Sequence, residues 1–198
     1  MMVLLKLTLE RGKIMPKNSL HIAIKAALVA SIYVILTILP PFSAISYGPV
    51  QFRISEILMF TALFSPVYAV GLFVGCLLAN LFGTANLFDI IFGSLATLFA
   101  GLSLYRGRRV FLKKKWLAPL PVSIINAVIV GSYLPFIFMN ISVKELFVDG
   151  FSNLFLKAIA ASPILGTMLS VLIGEAVVCY VLGIPFILLL EKHRHTLM

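Results

Sequence analysis

Polar side chains inside otherwise apolar stretches are the residues of this chain that could do chemistry. Five of them stand out, namely Glu56, Asn80, Asp89, Asn126 and Glu175. A carboxylate at the centre of a membrane costs about 2.5–3.5 kcal/mol on insertion scales, so such residues usually serve a function or hold a specific partner. Because all five fall at the outer ends or near the middle of the predicted helices, we expect them to line one cavity that opens to the outside.

Each of these residues also has a plain structural explanation. Asp89 lies near the start of a predicted helix, where a negative charge caps the helix favourably. Asn80 and Asn126 are suited to hydrogen bonds between helices, each worth about 0.6 kcal/mol. Glu175 has no cation near it in the sequence. It is therefore the acid most strongly favoured as functional, either as a partner for a cationic substrate or as a proton carrier.

Arg53 and Glu56 form a charged pair at the start of an apolar run. They are three residues apart, so on a helix they share one face. We expect Arg53 to orient or neutralise Glu56 and not to contact a ligand. The preceding segment, residues 40–52, is rich in Pro and Gly, which is typical of an ordered loop. We interpret residues 47–56 as the lid and rim of a binding pocket.

The sequence contains no pattern typical of an enzyme. Its three histidines, His21, His193 and His195, do not form a His-Glu-x-x-His motif, and there is no phosphate-binding loop for ATP. We therefore expect no catalytic residue, no cofactor and no metal site. Three functions stay open on the residues alone: a substrate-capturing transporter subunit, a stand-alone proton-coupled carrier, and a membrane scaffold whose polar residues only join helices.

The elements that position these residues are predicted to be membrane helices. Of 198 residues, 61% are hydrophobic and 12% are charged, against about 25% charged in a soluble domain. A spanning helix needs roughly 20 apolar residues. We predict an all-α, integral membrane six-helix bundle in a single domain, 1–198, with tails at 1–17 and 191–198 and the bundle at 18–190. The predicted helices cover residues 20–39, 53–64, 67–82, 87–104, 117–139 and 158–190, with an amphipathic outer loop at 140–152.

The positive charges indicate the orientation of this bundle. Four Lys or Arg residues lie within residues 1–17, six within 106–115 and two within 192–194, whereas the predicted outer segments hold three. Cytoplasmic segments of membrane proteins carry the excess of Lys and Arg. We therefore predict a multi-pass cell-membrane protein with both termini in the cytoplasm. This placement favours the lipid bilayer over nucleic acid as the reason for the net charge of +9.

The first predicted helix carries small residues four apart, Ala23 with Ala27 and Ala26 with Ala30. Such pairs let a second helix approach closely, because van der Waals contact drives helix association in lipid. The second helix can belong to a partner protein or to the same chain, and the spacing alone favours neither.

Four sequence blocks resemble the QueT-type queuosine-precursor transporters. They are residues 48–56 (GPVQFRISE), 71–81 (GLFVGCLLANL), 89–98 (DIIFGSLATL) and 174–183 (GEAVVCYVLG). The resemblance implies the substrate-binding (S) component of an energy-coupling factor (ECF) transporter, a six-helix bundle that works with a membrane T subunit and two cytoplasmic ATPase subunits. It also implies that Ala23 and Ala27, or Ala26 and Ala30, face the T subunit.

The substrate implied by this resemblance is a 7-deazaguanine, such as the aminomethyl or cyano precursor of queuosine. A carboxylate can accept two hydrogen bonds from the N–H groups of a deazaguanine edge, and a cationic aminomethyl group favours a second acid. We expect Glu56 and Glu175 to fill these two roles, in an order that stays open. Aromatic rings stack on heterocycles, and the candidates for that contact are Tyr47, Phe52, Phe82 and Phe88.

Overall fold

The computed structural model describes residues 17–47, 52–138 and 163–193, and these ranges are almost entirely helical. The predicted amphipathic loop at 140–152 lies outside the described residues. Seven α-helices occur in the described part: α1 Lys17–Ile38, α2 Phe42–Ser46, α3 Pro66–Gly83, α4 Ser94–Lys113, α5 Pro119–Phe138, α6 Pro163–Val178 and α7 Ile184–Lys192. Between them lie a 3₁₀ helix at Ile54–Leu63, a three-residue 3₁₀ turn at Lys115–Leu117, a first π turn at Asp89–Gly93 and a second π turn at Cys179–Gly183.

Five helices of the described chain are long and apolar enough to cross a membrane. They are α1, α3, α4 with the first π turn, α5, and the continuous helix made of α6, the second π turn and α7. The 3₁₀ helix is only ten residues long, which at about 2.0 Å per residue is roughly 20 Å. Eight of its ten residues are buried. The prediction of an all-α membrane bundle is confirmed, and the predicted second helix is this short buried 3₁₀ helix.

Proline and serine residues explain where several helices begin and end. The Ser65 hydroxyl accepts a hydrogen bond from the Val67 backbone N–H at 3.4 Å, and Pro66 occupies the first turn of α3; both are favoured at helix starts. α1 ends just before Pro40, and α5 begins at Pro119. The three helices concerned begin and end within three residues of their predicted positions.

One predicted boundary is wrong, and one predicted helix contains an irregular turn. The fourth predicted helix was expected to end at residue 104, but α4 continues to Lys113. Lys and Arg are good helix formers whose long side chains reach water from a helix end, so the basic segment extends the helix. The last predicted helix is not regular throughout, because the second π turn interrupts it just before Pro185. Proline lacks the N–H that an α-helix needs at that position, and the wider turn accommodates the loss.

Glycines let α1 and α3 pack with their backbones in contact. A Cβ atom at Gly71 would lie 2.5 Å from the Ala26 carbonyl oxygen, and one at Gly75 would lie 2.9 Å from the Ala30 carbonyl oxygen. The Ala26 and Ala30 face is thus occupied by a contact within the chain. Ala23 and Ala27 are exposed, and they remain the pair that a partner helix can reach.

The basic residues at the end of α4, in the connection to α5 and at the end of α7 lie at one end of the bundle. Lys115 Nζ lies 3.0 Å from a carboxylate oxygen of Glu191, which places the end of α7 beside the basic connection between α4 and α5. Tyr133 lies fourteen residues beyond Pro119 on α5, or about 21 Å at 1.5 Å per residue. The polar residues that contact Tyr133 therefore lie near the opposite end of the bundle.

Candidate functional site

Polar side chains from six elements meet inside the bundle. We call this group the polar cluster; its members, each at most 6% exposed, are Tyr33, Arg53, Glu56, Asn80, Asp89, Asn126, Tyr133 and Glu175. They come from α1, the 3₁₀ helix with the residue before it, α3, the first π turn, α5 and α6. The structure brings together all five polar residues singled out from the sequence.

Glu56 lies at the centre of the polar cluster. The Tyr33 hydroxyl of α1 donates a hydrogen bond of 2.5 Å to Glu56 Oε1. Asn126 is a hydrogen-bonding neighbour of both Glu56 and Glu175. The second oxygen of each carboxyl group, Oε2, has no partner within the described protein.

Arg53 is buried and forms no ion pair with any acid of the described residues. It is 3% exposed, and its Nε and Nη2 atoms have no hydrogen-bond partner in the described protein. Glu56, Glu175 and Asp89 lie near enough for electrostatic attraction, but in the described chain no nitrogen of Arg53 comes within 4.0 Å of their oxygens. The expected direct pairing with Glu56 is not formed, because Arg53 precedes the 3₁₀ helix in an extended conformation and Tyr33 holds one Glu56 oxygen.

Asp89 is held by two other members of the polar cluster. The Tyr133 hydroxyl donates to Asp89 Oδ1 at 2.7 Å, and the Asn80 amide donates to the Asp89 backbone oxygen at 2.7 Å. Asn80 Oδ1 is left without a partner. The helix-capping role considered for Asp89 belongs to Asn86, whose Oδ1 accepts from the Phe88 N–H at 2.9 Å. The Asp89 carboxylate therefore faces the polar cluster.

The aromatic candidates occupy different positions. The Tyr47 ring lies 5.9 Å from the Arg53 guanidinium carbon, and its hydroxyl donates to the Ala79 backbone oxygen at 2.9 Å. Burial raises the pKa of Tyr47 to about 12, so this hydroxyl stays protonated. Phe52 is half-buried next to Arg53. Phe82 is 71% exposed, whereas Phe88 stacks on Tyr133 with 6.2 Å between ring centroids.

Sequence reasoning missed the two tyrosines that hold the acids. Tyr33 and Tyr133 stand in apolar helices and look like ordinary hydrophobic residues there. The available signal was their hydroxyl group: the chain has 16 Phe but 6 Tyr, and a buried Tyr usually needs a hydrogen-bond partner. A tyrosine within a membrane helix therefore points to an acceptor elsewhere in the bundle.

The polar cluster offers both donors and acceptors to a bound molecule. Its unpartnered buried atoms are two guanidinium nitrogens and three oxygens, and the nearby Ser123 hydroxyl of α5 is also unpartnered. An unsatisfied buried polar group costs about 1–3 kcal/mol, and more if charged. One cation and three acids in one group also favour a ligand that carries N–H donors or a positive charge. The arrangement is suited to recognition of a small polar molecule.

Metal chemistry finds no support in the described part of the chain, where no three His, Cys, Asp or Glu side chains come together in a way that could hold a metal ion. The two cysteines, Cys76 and Cys179, are both buried and free.

The comparisons with known proteins agree with a transport role. The chain is 46% identical over 84 residues to the queuosine precursor transporter QueT of Lactococcus lactis subsp. cremoris (strain MG1363), a match that covers 42% of this chain and 49% of that relative. The match thus spans about half the length of the relative. No solved structure matches the chain significantly. The family model described as QueT transporter matches residues 23–192, so this chain is a transport protein and not an enzyme, and it belongs to the QueT transporter family.

Proposed function

We propose that this chain is the substrate-capturing subunit of an importer for a queuosine precursor, a 7-deazaguanine such as the aminomethyl or cyano form. The unpartnered donors and acceptors of the polar cluster carry this proposal. A deazaguanine presents several N–H donors and one carbonyl acceptor, and it has no charge of its own in the ring. The name of the Lactococcus relative supports the same class of substrate.

Glu56 and Glu175 are the proposed main contacts. Each has a free Oε2 atom, and a carboxylate accepts hydrogen bonds from an N–H edge or from an ammonium group. Asn126 lies within hydrogen-bonding reach of both acids. Asn80 and Asp89 close the other side of the site, and Tyr47 and Phe52 lie at its rim. Asn80 Oδ1 supplies one further free acceptor.

In this proposal, two cytoplasmic ATPase subunits supply the energy for import, and an ECF T subunit connects them to this chain in the membrane. The sequence has no phosphate-binding loop of its own. α1 is the least buried of the five membrane-length helices, and its exposed Ala23 and Ala27 permit close approach by a partner helix. We assign this face to the T subunit.

The proposed orientation places the polar cluster near the outer surface of the cell membrane. The basic end of the bundle, at residues 106–115 and Lys192, then faces the cytoplasm, as the excess of Lys and Arg on cytoplasmic segments requires. Both termini lie on that side. A substrate enters from outside, past α2 and Tyr47.

A second candidate function is a stand-alone carrier driven by protons. It is favoured by Glu175, which is 1% exposed inside a membrane helix and has an unpartnered Oε2, as expected for a residue that carries a proton. Uptake into liposomes that contain this chain alone, abolished by an uncoupler, would select this function. Uptake only after addition of the T and ATPase subunits would select the ECF arrangement.

Calorimetric titration of the detergent-purified chain with aminomethyl- and cyano-deazaguanine, without ATP, tests the proposed function. We expect saturable binding of at least one compound at one molecule per chain. If neither compound nor guanine binds, the polar cluster is a structural element of a membrane scaffold and the proposal is wrong.

A further inference from the structure

We propose that Arg53 recognises a carbonyl oxygen of the substrate, so that the site selects an oxo-purine edge and rejects an amino-purine edge. The inference rests on the proposed function and assigns one residue of that site a specific contact. It begins from Arg53, which is 3% exposed and has two guanidinium nitrogens, Nε and Nη2, without a partner in the described protein.

The acids of the polar cluster do not satisfy this guanidinium. Glu56 Oε1 is taken by the Tyr33 hydroxyl, and Asp89 Oδ1 by the Tyr133 hydroxyl. The Glu56 backbone N–H donates to the Arg53 carbonyl oxygen at 3.0 Å, but no nitrogen of Arg53 lies within 4.0 Å of a carboxylate oxygen of the described acids, so the two charged side chains are neighbours without an ion pair. Breaking a buried charge pair is strongly unfavourable in proteins, so this separation favours a bound group that bridges the two.

The bridging group must combine an acceptor with a donor. Arg53 has only N–H donors to offer, whereas Glu56 Oε2 and Glu175 Oε2 are acceptors when ionised. A lactam edge, in which a ring N–H adjoins a carbonyl oxygen, presents its oxygen to Arg53 and its N–H to a carboxylate. An amino-purine edge presents an amino group at the position of that oxygen, so two sets of donors would face each other.

Tyr47 fixes the position of the guanidinium. Its ring lies 5.9 Å from the Arg53 guanidinium carbon, within the range of a cation–π contact. Its hydroxyl is anchored to the Ala79 oxygen, and a Cβ atom at Gly83 would overlap the Tyr47 ring. The end of α3 thus holds Tyr47, and Tyr47 holds Arg53.

Calorimetry with two matched compounds tests this assignment. 7-Deazaguanine and 2,6-diamino-7-deazapurine share the ring skeleton and the 2-amino group. The second compound has an amino group in place of the 6-oxygen, and its N1 is an acceptor where 7-deazaguanine has an N–H donor. Sites built to hydrogen-bond one group often reject the analogue without it by about 10⁴-fold or more. We expect the wild-type chain to prefer 7-deazaguanine by at least about 100-fold. Arg53→Gln should reduce this preference at least about tenfold, leaving the part that the carboxylates contribute through the ring N–H, and Arg53→Lys should reduce it less. Glu191→Gln, at the basic end, serves as the control and keeps the full preference.

The outcomes separate the two proposals. If the wild-type chain binds neither these compounds nor the aminomethyl and cyano forms, the proposed function fails, and this inference fails with it. If the wild-type chain binds both compounds equally, or if folded Arg53→Gln keeps the wild-type preference, the Arg53 assignment alone is overturned. Thermal unfolding in detergent identifies folded variants, and the wild-type preference and Arg53→Lys decide the question if Arg53→Gln does not fold.

Discussion

The two buried glutamates of the polar cluster are held differently by their neighbours. Glu56 has one oxygen bound by the Tyr33 hydroxyl at 2.5 Å. Glu175 has Asn126 as its hydrogen-bonding neighbour and lies close to the negative charge of Glu56. Two carboxylates in one water-poor site repel each other, and a ligand with a positive charge or with N–H donors relieves that repulsion. Glu175 therefore gains the most from a bound ligand.

Glu175→Gln is expected to weaken binding of a deazaguanine at least tenfold. The amide keeps the shape of the side chain but removes the charge and turns one acceptor into a donor. Glu191→Gln is the matched control, since Glu191 is a partly exposed acid paired with Lys115 at the other end of the bundle, and surface pairs contribute little. Calorimetry on both variants gives the comparison. Unchanged affinity in both Glu175→Gln and Glu56→Gln would remove these acids from the site.

The charged members of the site could be predicted from the sequence, and their hydroxyl partners could not. Glu56, Asp89 and Glu175 stand out because a charge in an apolar stretch is rare. Tyr33 meets Glu56 across 23 positions and Tyr133 meets Asp89 across 44. Such pairings depend on how helices pack, which no local spacing encodes. The sequence also does not reveal that Arg53 lacks an ion pair with Glu56. The two residues are three apart, and on a helix this spacing predicts a pair.

Among the elements, the contact between α1 and α3 depends most on side-chain size. Gly71→Ala would place a Cβ atom 2.5 Å from the backbone oxygen of Ala26, and a backbone atom cannot rotate away. Forcing extra atoms into a packed contact typically costs about 1–3 kcal/mol. We expect Gly71→Ala to lower the thermal unfolding midpoint in detergent.

Gly166→Ala is the control for this substitution. It adds the same methyl group to α6, where a Cβ atom would meet nothing within 4 Å. Alanine is favoured over glycine within helices by about 0.5–1 kcal/mol, so the unfolding midpoint should stay the same or rise. Equal effects of the two substitutions would show that the helices do not pack as closely as described.

Ala27→Leu is expected to reduce import without reducing binding. Ala27 is exposed on α1, and a leucine there fills the groove that a partner helix would enter. Val177→Leu is the control. Val177 is exposed on α6, so the larger side chain lies away from Ala27 and should leave import unchanged. Uptake by cells that express the T and ATPase subunits measures the first effect, and calorimetry measures the second. Normal uptake by Ala27→Leu would exclude this face as the T-subunit contact.

The positions of the helices could be predicted from hydropathy and from Pro and Ser residues. The type of helix, α, 3₁₀ or π, could not. An apolar run such as residues 54–63 has too few polar residues to reveal its periodicity, so nothing in it separates a 3₁₀ helix from an α-helix. Its brevity was the one usable sign. The two π turns are likewise local departures that arise from packing, although Pro185 marks the second.

For the whole molecule, the separation of the polar cluster from the basic end leads to a test of orientation. Ala44 on α2 and Lys114 after α4 are exposed at the two ends. We expect Ala44→Cys to react with a membrane-impermeant maleimide in intact cells, and Lys114→Cys to react only after permeabilisation. The native Cys76 and Cys179 are buried, so an unsubstituted chain provides the background. The reverse pattern would invert the proposed topology.

Helix α1 makes a contact with the polar cluster on one side and has an exposed surface on another. Tyr33 bonds the buried Glu56, and Ala27, six residues earlier, lies exposed at a rise of about 9 Å along the axis. The glycines of α3 pack closely against the backbone of α1. α1 therefore contacts the polar cluster through Tyr33 and presents Ala27, the residue proposed to meet the T subunit, on its exposed surface. A substitution that moves α1 is expected to affect both substrate binding and the contact with the partner.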